Sequence, residues 1–395
     1  MTREFDVVVF GATGFTGKLV ADHIARSSER PRWAIAGRSR DKLEALGLGV
    51  PVLIADAHDP AALADVARRT KVVCSTVGPY AKYGDDLVAA CAEAGTHYCD
   101  LAGEVQWMRR MIDAHHDRAV STGARLVFSC GFDSVPSDLG TWALQQEMIK
   151  AFGKPATKVT ALFGESSGGI SGGTVASGAQ TAVEASADRA VRKVLANPYA
   201  LNPDPYADLP PSPDETSVGW EPRLKMFTVP FLMAQINTRN VRRGHALVGF
   251  PWGRDFVYRE VMSTPGGPKG AMMAATVTGA LVGLAFAMKR PRLREILLKR
   301  APPPGQGPTP EQRARGHWKV RFIGEVDNHS LVYVAADEHG DPGYGSTARM
   351  LGESALSLAL DPLASPGGAL VASVAMGGHL LDRLRRAGLT FEIAG

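Results

Sequence analysis

The sequence predicts an α/β protein: a doubly wound parallel sheet followed by a second, α+β domain with a mixed, largely antiparallel sheet. Three observations carry this. The first 130 residues alternate short apolar, β-rich runs with helical patterns, the rhythm of a parallel sheet covered on both faces. A glycine-rich turn stands between the first apolar run and the first helix. After Gly140 the alternation breaks, and further strand-like runs are separated by long Gly-, Ser- and Pro-rich stretches. The 395 residues are enough for two to three domains at ~150 residues each. A content of 45% hydrophobic and 21% charged residues is globular and excludes intrinsic disorder.

In the first domain the expected strands are Phe5–Phe10, Trp33–Ala36, Val52–Ala55, Val72–Thr76, Tyr98–Leu101 and Leu126–Ser129. Leu87–Ala94 and Val105–Val120 read as helices between them. Lys158–Phe163 is the next strand, followed by the block SSGGISGGTVASG and a helix near Gln180–Leu195. Residues 197–230 read as a long loop or lid. Strands are then expected at Leu247–Phe250, Phe256–Val261, His317–Ile323 and Leu331–Ala335, with APPPGQGPTP at 301–310 an extended connector. The division is residues 1–135 as the parallel-sheet domain, 136–350 as the second domain, and 351–395 as helices and a strand packing back on the first domain.

The net charge is 44 − 40 = +4, too small to imply nucleic acid. Lys289–Arg300 alone holds six basic residues and one acidic one, a local +5 that suits phosphate-rich surfaces or headgroups. Cys74, Cys91, Cys99 and Cys130 match no zinc or redox spacing and read as reduced, buried thiols. His115 and His116 lack a partner one turn away, so no metal site is expected. MTREFD has no basic n-region or cleavage site, which points to the cytoplasm.

The sharpest motif is Gly11-Ala-Thr13-Gly14-Phe15-Thr16-Gly17, a dinucleotide fingerprint between a strand and a helix. Gly11 makes the turn, Gly14 lets backbone approach a pyrophosphate, and Gly17 lets the helix pack closely on the strand. The helix amino terminus then offers free N–H groups and partial positive charge to phosphate. The first domain is thus Rossmann-type. NAD sites carry an acid at the end of the second strand, whereas here Arg38 and Ser39 stand there, able to fork and donate to a 2′-phosphate. NADP(H) is the expected cofactor. Asp56 with Ala57 could meet the adenine, though Asp56 reads equally well as a helix cap. Thr76-Val77-Gly78 lies where the nicotinamide should come.

GATGFTGK, AGRSRDKL, STVGPYAKYGDDLVAACAEAGTHYCDLAGE and CGFDSVPSDLG, in this order, resemble the saccharopine dehydrogenase-like oxidoreductases over nearly the whole chain. The Gly-rich block and the basic stretch after an apolar helix bring the likeness nearest to the mycobacterial trans-acting enoyl reductases. That resemblance implies an NADPH-dependent reductase acting on the double bond of a long acyl chain. The chain would be carried by a polyketide synthase and used in cell-envelope lipids. A saccharopine-type amino-acid dehydrogenase would need cations in the substrate domain, where 160–196 offers only Arg189, Arg192 and Lys193. A non-catalytic dinucleotide-binding protein of lipid surfaces is the third reading.

Reducing a conjugated double bond needs an oriented nicotinamide, a donor to the carbonyl and a proton source. Tyr80 is the first candidate donor, followed by Tyr83 and Lys82, against the alternative that both phenols pack the loop. Asp133 and Ser134 read as a helix start, and His97 and Glu104 are minor candidate acids. Gly270–Met288 holds nineteen uncharged residues, ~28 Å of helix against a bilayer core of ~30 Å. Eleven of them are Ala, Gly or Thr. Met273, Val277, Leu281, Leu284 and Met288 form an apolar stripe, and Ala275, Gly279, Gly283 and Ala287 a small-residue stripe suited to helix contact. Residues 270–300 are expected to pack on a partner, as in a homodimer, or to touch the inner face of the plasma membrane. A core helix is the alternative.

Overall fold

The computed structural model describes residues 3–167, 172–203, 208–300 and 307–394. Its strands in chain order are β1 (Phe5–Phe10), β2 (Trp33–Gly37), β3 (Val52–Ile54), β4 (Thr70–Ser75), β5 (His97–Cys99), β6 (Arg125–Val127) and β7 (Lys158–Ser166). There follow β8 (Gly219–Glu221), β9 (Met226–Pro230), β10 (Val257–Thr264), β11 (Trp318–Val326), β12 (His329–Asp337), β13 (Gly368–Leu370) and β14 (Thr390–Ile393).

They form two seven-stranded sheets, β13-β6-β5-β4-β1-β2-β3 and β14-β12-β11-β7-β10-β9-β8. Every pairing in the first is parallel. The second is antiparallel except where β10 runs parallel to β7. All six residues of β1 are buried, because helices cover both faces of the parallel sheet. The strand order reverses between β4 and β1, and the crevice at that switch point is where doubly wound sheets bind ligands.

The last 49 residues serve both halves. Thr347–Leu360 is a helix packed on β1, β4 and β5, burying Ala348, Leu351 and Ala355. Gly352 lets the His23 ring approach this helix closely: a Cβ there would lie 2.6 Å from the ring, which would have to shift. β13 extends the first sheet and β14 the second. The four cysteines are free and buried.

Several expectations are corrected. Leu247–Phe250 is not a strand: Ala234–Leu247 is a helix, and the chain turns after it. Its arginines at 239, 242 and 243 masked the helical pattern, because they are buried in spite of their charge. The stretch 197–230 contains the hairpin β8–β9. The helix expected near 180–195 is two, Gly172–Ala187 and Arg189–Ala196, broken at Asp188, whose carboxylate accepts from Ala190 N–H. The second half of the Gly-rich block is therefore helical, and its residues 168–171 lie outside the described residues. Of the proline-rich connector, 301–306 also lie outside them. Its end, Pro310, opens a short helix Pro310–Ala314 capped reciprocally by Thr309 and Gln312.

Candidate active site

The first turn of the parallel sheet is built for a close ligand. Gly11 has φ +91°, and a Cβ there would stand 2.5 Å from Val77 Cγ2. At Gly17 a Cβ would meet Gly11 O at 2.2 Å. The Thr76 hydroxyl donates to Phe10 O and Gly11 O, 3.2 Å from each, tying the ends of β4 and β1 together. Gly14 is exposed and forms the N-cap of Phe15–Ala25 without a side-chain cap, so its first N–H groups have no side-chain acceptor. The Thr13 and Thr16 side chains make no hydrogen bond among the described residues. The Phe15 ring stands edge-on to Tyr344 at 4.7 Å, with Arg313 over it at 5.6 Å. Residues beyond 300 therefore form one wall of the cleft.

At the end of β2, Arg38 is exposed and has no ion-pair partner among the described residues. Ser39 is the N-cap of Arg40–Glu44, and its hydroxyl makes no cap bond. Both are available to a 2′-phosphate. Asp56 does not cap the helix Pro60–Arg69, which Asp59 does. Instead it accepts from His58 N–H at 2.9 Å and stays exposed, with Ala57 half-buried beside it. These features fit a dinucleotide cofactor: a cradle that only glycine allows, unpaired donors, and a free cation where the ribose should lie.

Val77 is half-buried and Gly78 exposed at the end of β4. The phenol of Tyr80 is buried, donates to Ser75 O at 3.1 Å and accepts from Leu101 N–H at 3.1 Å. Burial, with Asp100 nearby, pushes its pKa well above that of a free phenol. Tyr80 therefore fastens the loop and is not the donor expected from the sequence. Tyr83 is half-buried against His58, with rings 5.5 Å apart, and Lys82 is exposed.

The buried Glu104 carboxylate accepts from Tyr80 N–H at 2.8 Å, Ala81 N–H at 2.9 Å and Ser177 Oγ at 2.8 Å. It caps the turn Tyr80–Tyr83 and docks the helix Gly172–Ala187 on the sheet edge. Asp100, fully buried, accepts from Ala102 N–H, Ser129 N–H and Tyr98 Oη, each at 2.9 Å. Burial pushes its pKa up to about 7. Both acids are structural ties. His97 lies at the opposite edge of the sheet, in a cavity of about 540 Å³ with Arg3, Lys71 and Arg125, far from any acid role here.

Asp133 is different. Neither it nor Ser134 caps the helix Val135–Phe152, contrary to expectation. Ser134 Oγ donates to Asn237 Oδ1 and accepts from Asn240 Nδ2, both at 3.0 Å. Asn237 Nδ2 donates to Glu260 at 2.9 Å, and Tyr258 Oη donates to the same carboxyl at 2.5 Å. On the other side Phe132 N–H is held by Thr347 Oγ1 at 3.1 Å. Between these fixed neighbours the half-buried Asp133 carboxyl has no hydrogen-bond partner among the described residues, and burial pushes its pKa up to about 6. The adjacent wall is aromatic. Phe132 meets Trp318 at 4.9 Å and Phe163 at 6.2 Å, and Phe163 stacks on Phe231 at 4.1 Å.

This geometry has relatives. The family model for the saccharopine dehydrogenase NADP binding domain matches residues 7–127. A Mycobacterium tuberculosis protein is 42% identical over 99% of this chain and 97% of its own. The chain belongs to the saccharopine dehydrogenase-like oxidoreductase family. It is an oxidoreductase that uses NADP(H). The protein named trans-acting enoyl reductase in Mycobacterium ulcerans is 40% identical over 98% of this chain and 97% of its own. Saccharopine dehydrogenase (L-Glu forming) from Saccharomyces cerevisiae shares the fold, with TM-score 0.55 and 14% identity over 98% of this chain and 99% of that one.

The three buried arginines of the helix Ala234–Leu247, which sequence reading missed, are engaged. Arg239 pairs with Asp214 at 2.6 Å. Arg242 donates to Pro198 O at 2.9 Å and Ser212 Oγ at 2.8 Å, and Arg243 to Leu201 O and Ala369 O. Arg189, Arg192 and Lys193 lie on the outer surface.

Proposed function

We propose that the protein is an NADPH-dependent enoyl reductase that saturates a double bond of a lipid-like acyl chain. It would act in trans on a chain carried by a polyketide synthase making cell-envelope lipids. The observation that carries this reading is Asp133, an unpartnered, protonatable acid at the carboxyl edge of the parallel sheet beside an aromatic wall. Relatives named trans-acting enoyl reductase, alike over nearly the full length, support the same substrate class.

The glycine loop and Arg38 would hold NADPH, which would supply hydride chemistry at the β-carbon of the conjugated carbonyl. The electron pair of the double bond then moves towards the carbonyl, and the α-carbon takes a proton. Asp133 gives up that proton from its carboxyl and is reprotonated from solvent, which its half-exposure permits. Phe132 and Phe231, both half-buried and backed by the buried Phe163 and Trp318, would hold the apolar chain and exclude water from the carbanionic carbon. A dicarboxylic amino acid would require free guanidinium groups, and the buried arginines of Ala234–Leu247 are already bonded to carbonyls and to Asp214.

The test follows the hydrogen. With deuteride-labelled NADPH and a long-chain 2-enoyl thioester, one deuterium should appear at the β-carbon of a saturated product. Transfer to the imine of an amino acid, with none to the enoyl thioester, would replace this reading by an amino-acid dehydrogenase.

A further inference from the structure

The helix Gly267–Met288 runs 22 residues, ~33 Å at 1.5 Å rise, yet buries only Gly270 and Ala274. Its outer side exposes Met272 (68%), Val282 (61%) and Phe286 (53%). Its inner side carries Val277, Leu281, Leu284 and Met288, all half-buried. A helix apolar on both sides belongs in a core or a membrane, and this one is in neither within the chain. Its exposed Thr276 hydroxyl donates to Met272 O at 2.9 Å, so that group is satisfied without water. Gly279 and Gly283, expected to meet another helix, have nothing within 4 Å of a built Cβ.

Charge decides what covers it. The next helix, Pro291–Arg300, begins directly after Lys289 and Arg290, and residues 289–300 sum to +5. Arg290 sits over the Phe286 ring at 4.2 Å, a cation at the boundary of the apolar surface. A second copy carries the same +5 and would neutralise none of this charge. An anionic surface would neutralise it. The arm leaves from β10, and the chain returns to β11, both direct neighbours of β7 in one sheet. Both ends of the arm therefore lie on the same side of any bilayer, which excludes a single crossing.

We propose that residues 267–300 dock the enzyme on an anionic lipid bilayer, the apolar helix dipping into the acyl region while the basic helix meets the headgroups. This proposal does not depend on the reaction assigned above, since vesicle binding needs no turnover.

The full chain should cosediment with phosphatidylcholine vesicles that contain phosphatidylglycerol, and much less with phosphatidylcholine alone. Salt should release it, because exposed charges are screened beyond ~8 Å at physiological ionic strength. Each basic residue near an anionic surface is worth about fivefold in partitioning, so Arg290→Glu with Arg292→Glu and Arg294→Glu should lower binding at least about a hundredfold. Val282→Asp with Phe286→Asp should abolish binding at any salt, while NADPH titration shows both variants folded. Wild-type protein left in the supernatant with anionic vesicles at low salt overturns the proposal. So does binding indifferent to Val282 and Phe286, or self-association in solution that Val282→Asp with Phe286→Asp breaks.

Discussion

Replacing Arg38 by Ala should separate NADPH from NADH. The side chain is exposed and has no partner among the described residues, so its loss leaves no buried group unsatisfied and should not unfold the protein. What disappears is a charge-assisted bond to a 2′-phosphate, worth about 1.5–3 kcal/mol, or roughly 10- to 150-fold in affinity. Exposure to salt places the effect toward the lower half of that range. NADH, without the phosphate, should lose no more than about twofold. Arg38→Lys keeps the charge and loses the fork, so it should fall between. Cofactor fluorescence titration of the three proteins with both nucleotides measures this directly. Equal losses for NADPH and NADH would show that Arg38 does not touch the 2′-phosphate and would move that role elsewhere.

Gly17→Ala should abolish cofactor binding, since its Cβ would meet Gly11 O at 2.2 Å; thermal melting should show a loss of ~1–3 kcal/mol. Asp100 is held at about 7 in the folded protein against an unfolded value near 3.8. The folded state thus binds the extra proton, and its stability falls as pH rises from about 4 to about 7. Asp100→Asn should flatten that part of a stability–pH profile measured by urea unfolding.

The cofactor half was legible in the sequence because its determinants are local. The turn 11–17, the basic end of β2 and the strand–helix rhythm all lie within short windows, and the structure has them in place. What was not legible depends on distant contacts. Tyr80 looked like a donor because its position after β4 is right, but Leu101 and Ser75 consume its hydroxyl. Ala234–Leu247 did not read as helix because buried arginines break the apolar period, and their partners are carbonyls up to 126 residues away. Asp133 and Ser134 looked like a cap, and only Asn237, Asn240 and Thr347 show why they are not. Glu104 stood out after β5 as a candidate acid rather than a tie, because its Ser177 partner lies 73 residues away.

Asp133 ties stability to activity. An acid held at about 6 against 3.8 is destabilised when ionised. Two units correspond to roughly 2–3 kcal/mol, and partial exposure makes the lower figure the better one. Because the folded pKa is the higher, this cost is absent below about 4, grows as pH rises, and is complete above about 6. A purely structural carboxyl is tied to its surroundings, as Asp100 is by three donors. Asp133 bonds to nothing among the described residues, although Phe132 and Ser134 on either side are fixed from the helices Thr347–Leu360 and Ala234–Leu247. A rigid frame around an unpaired acid keeps a proton where burial makes it easy to hold and an incoming carbanion makes it easy to give. Asp133→Asn should therefore raise the melting temperature at neutral pH and leave NADPH affinity unchanged. It should also lower kcat by ~10²–10⁴, the usual contribution of a positioned acid. In the wild type, kcat/KM should fall as pH rises through about 6, and the variant should lose that step. An Asp133→Asn enzyme that turns over at the wild-type rate would remove Asp133 from the reaction and leave the proton to come from solvent.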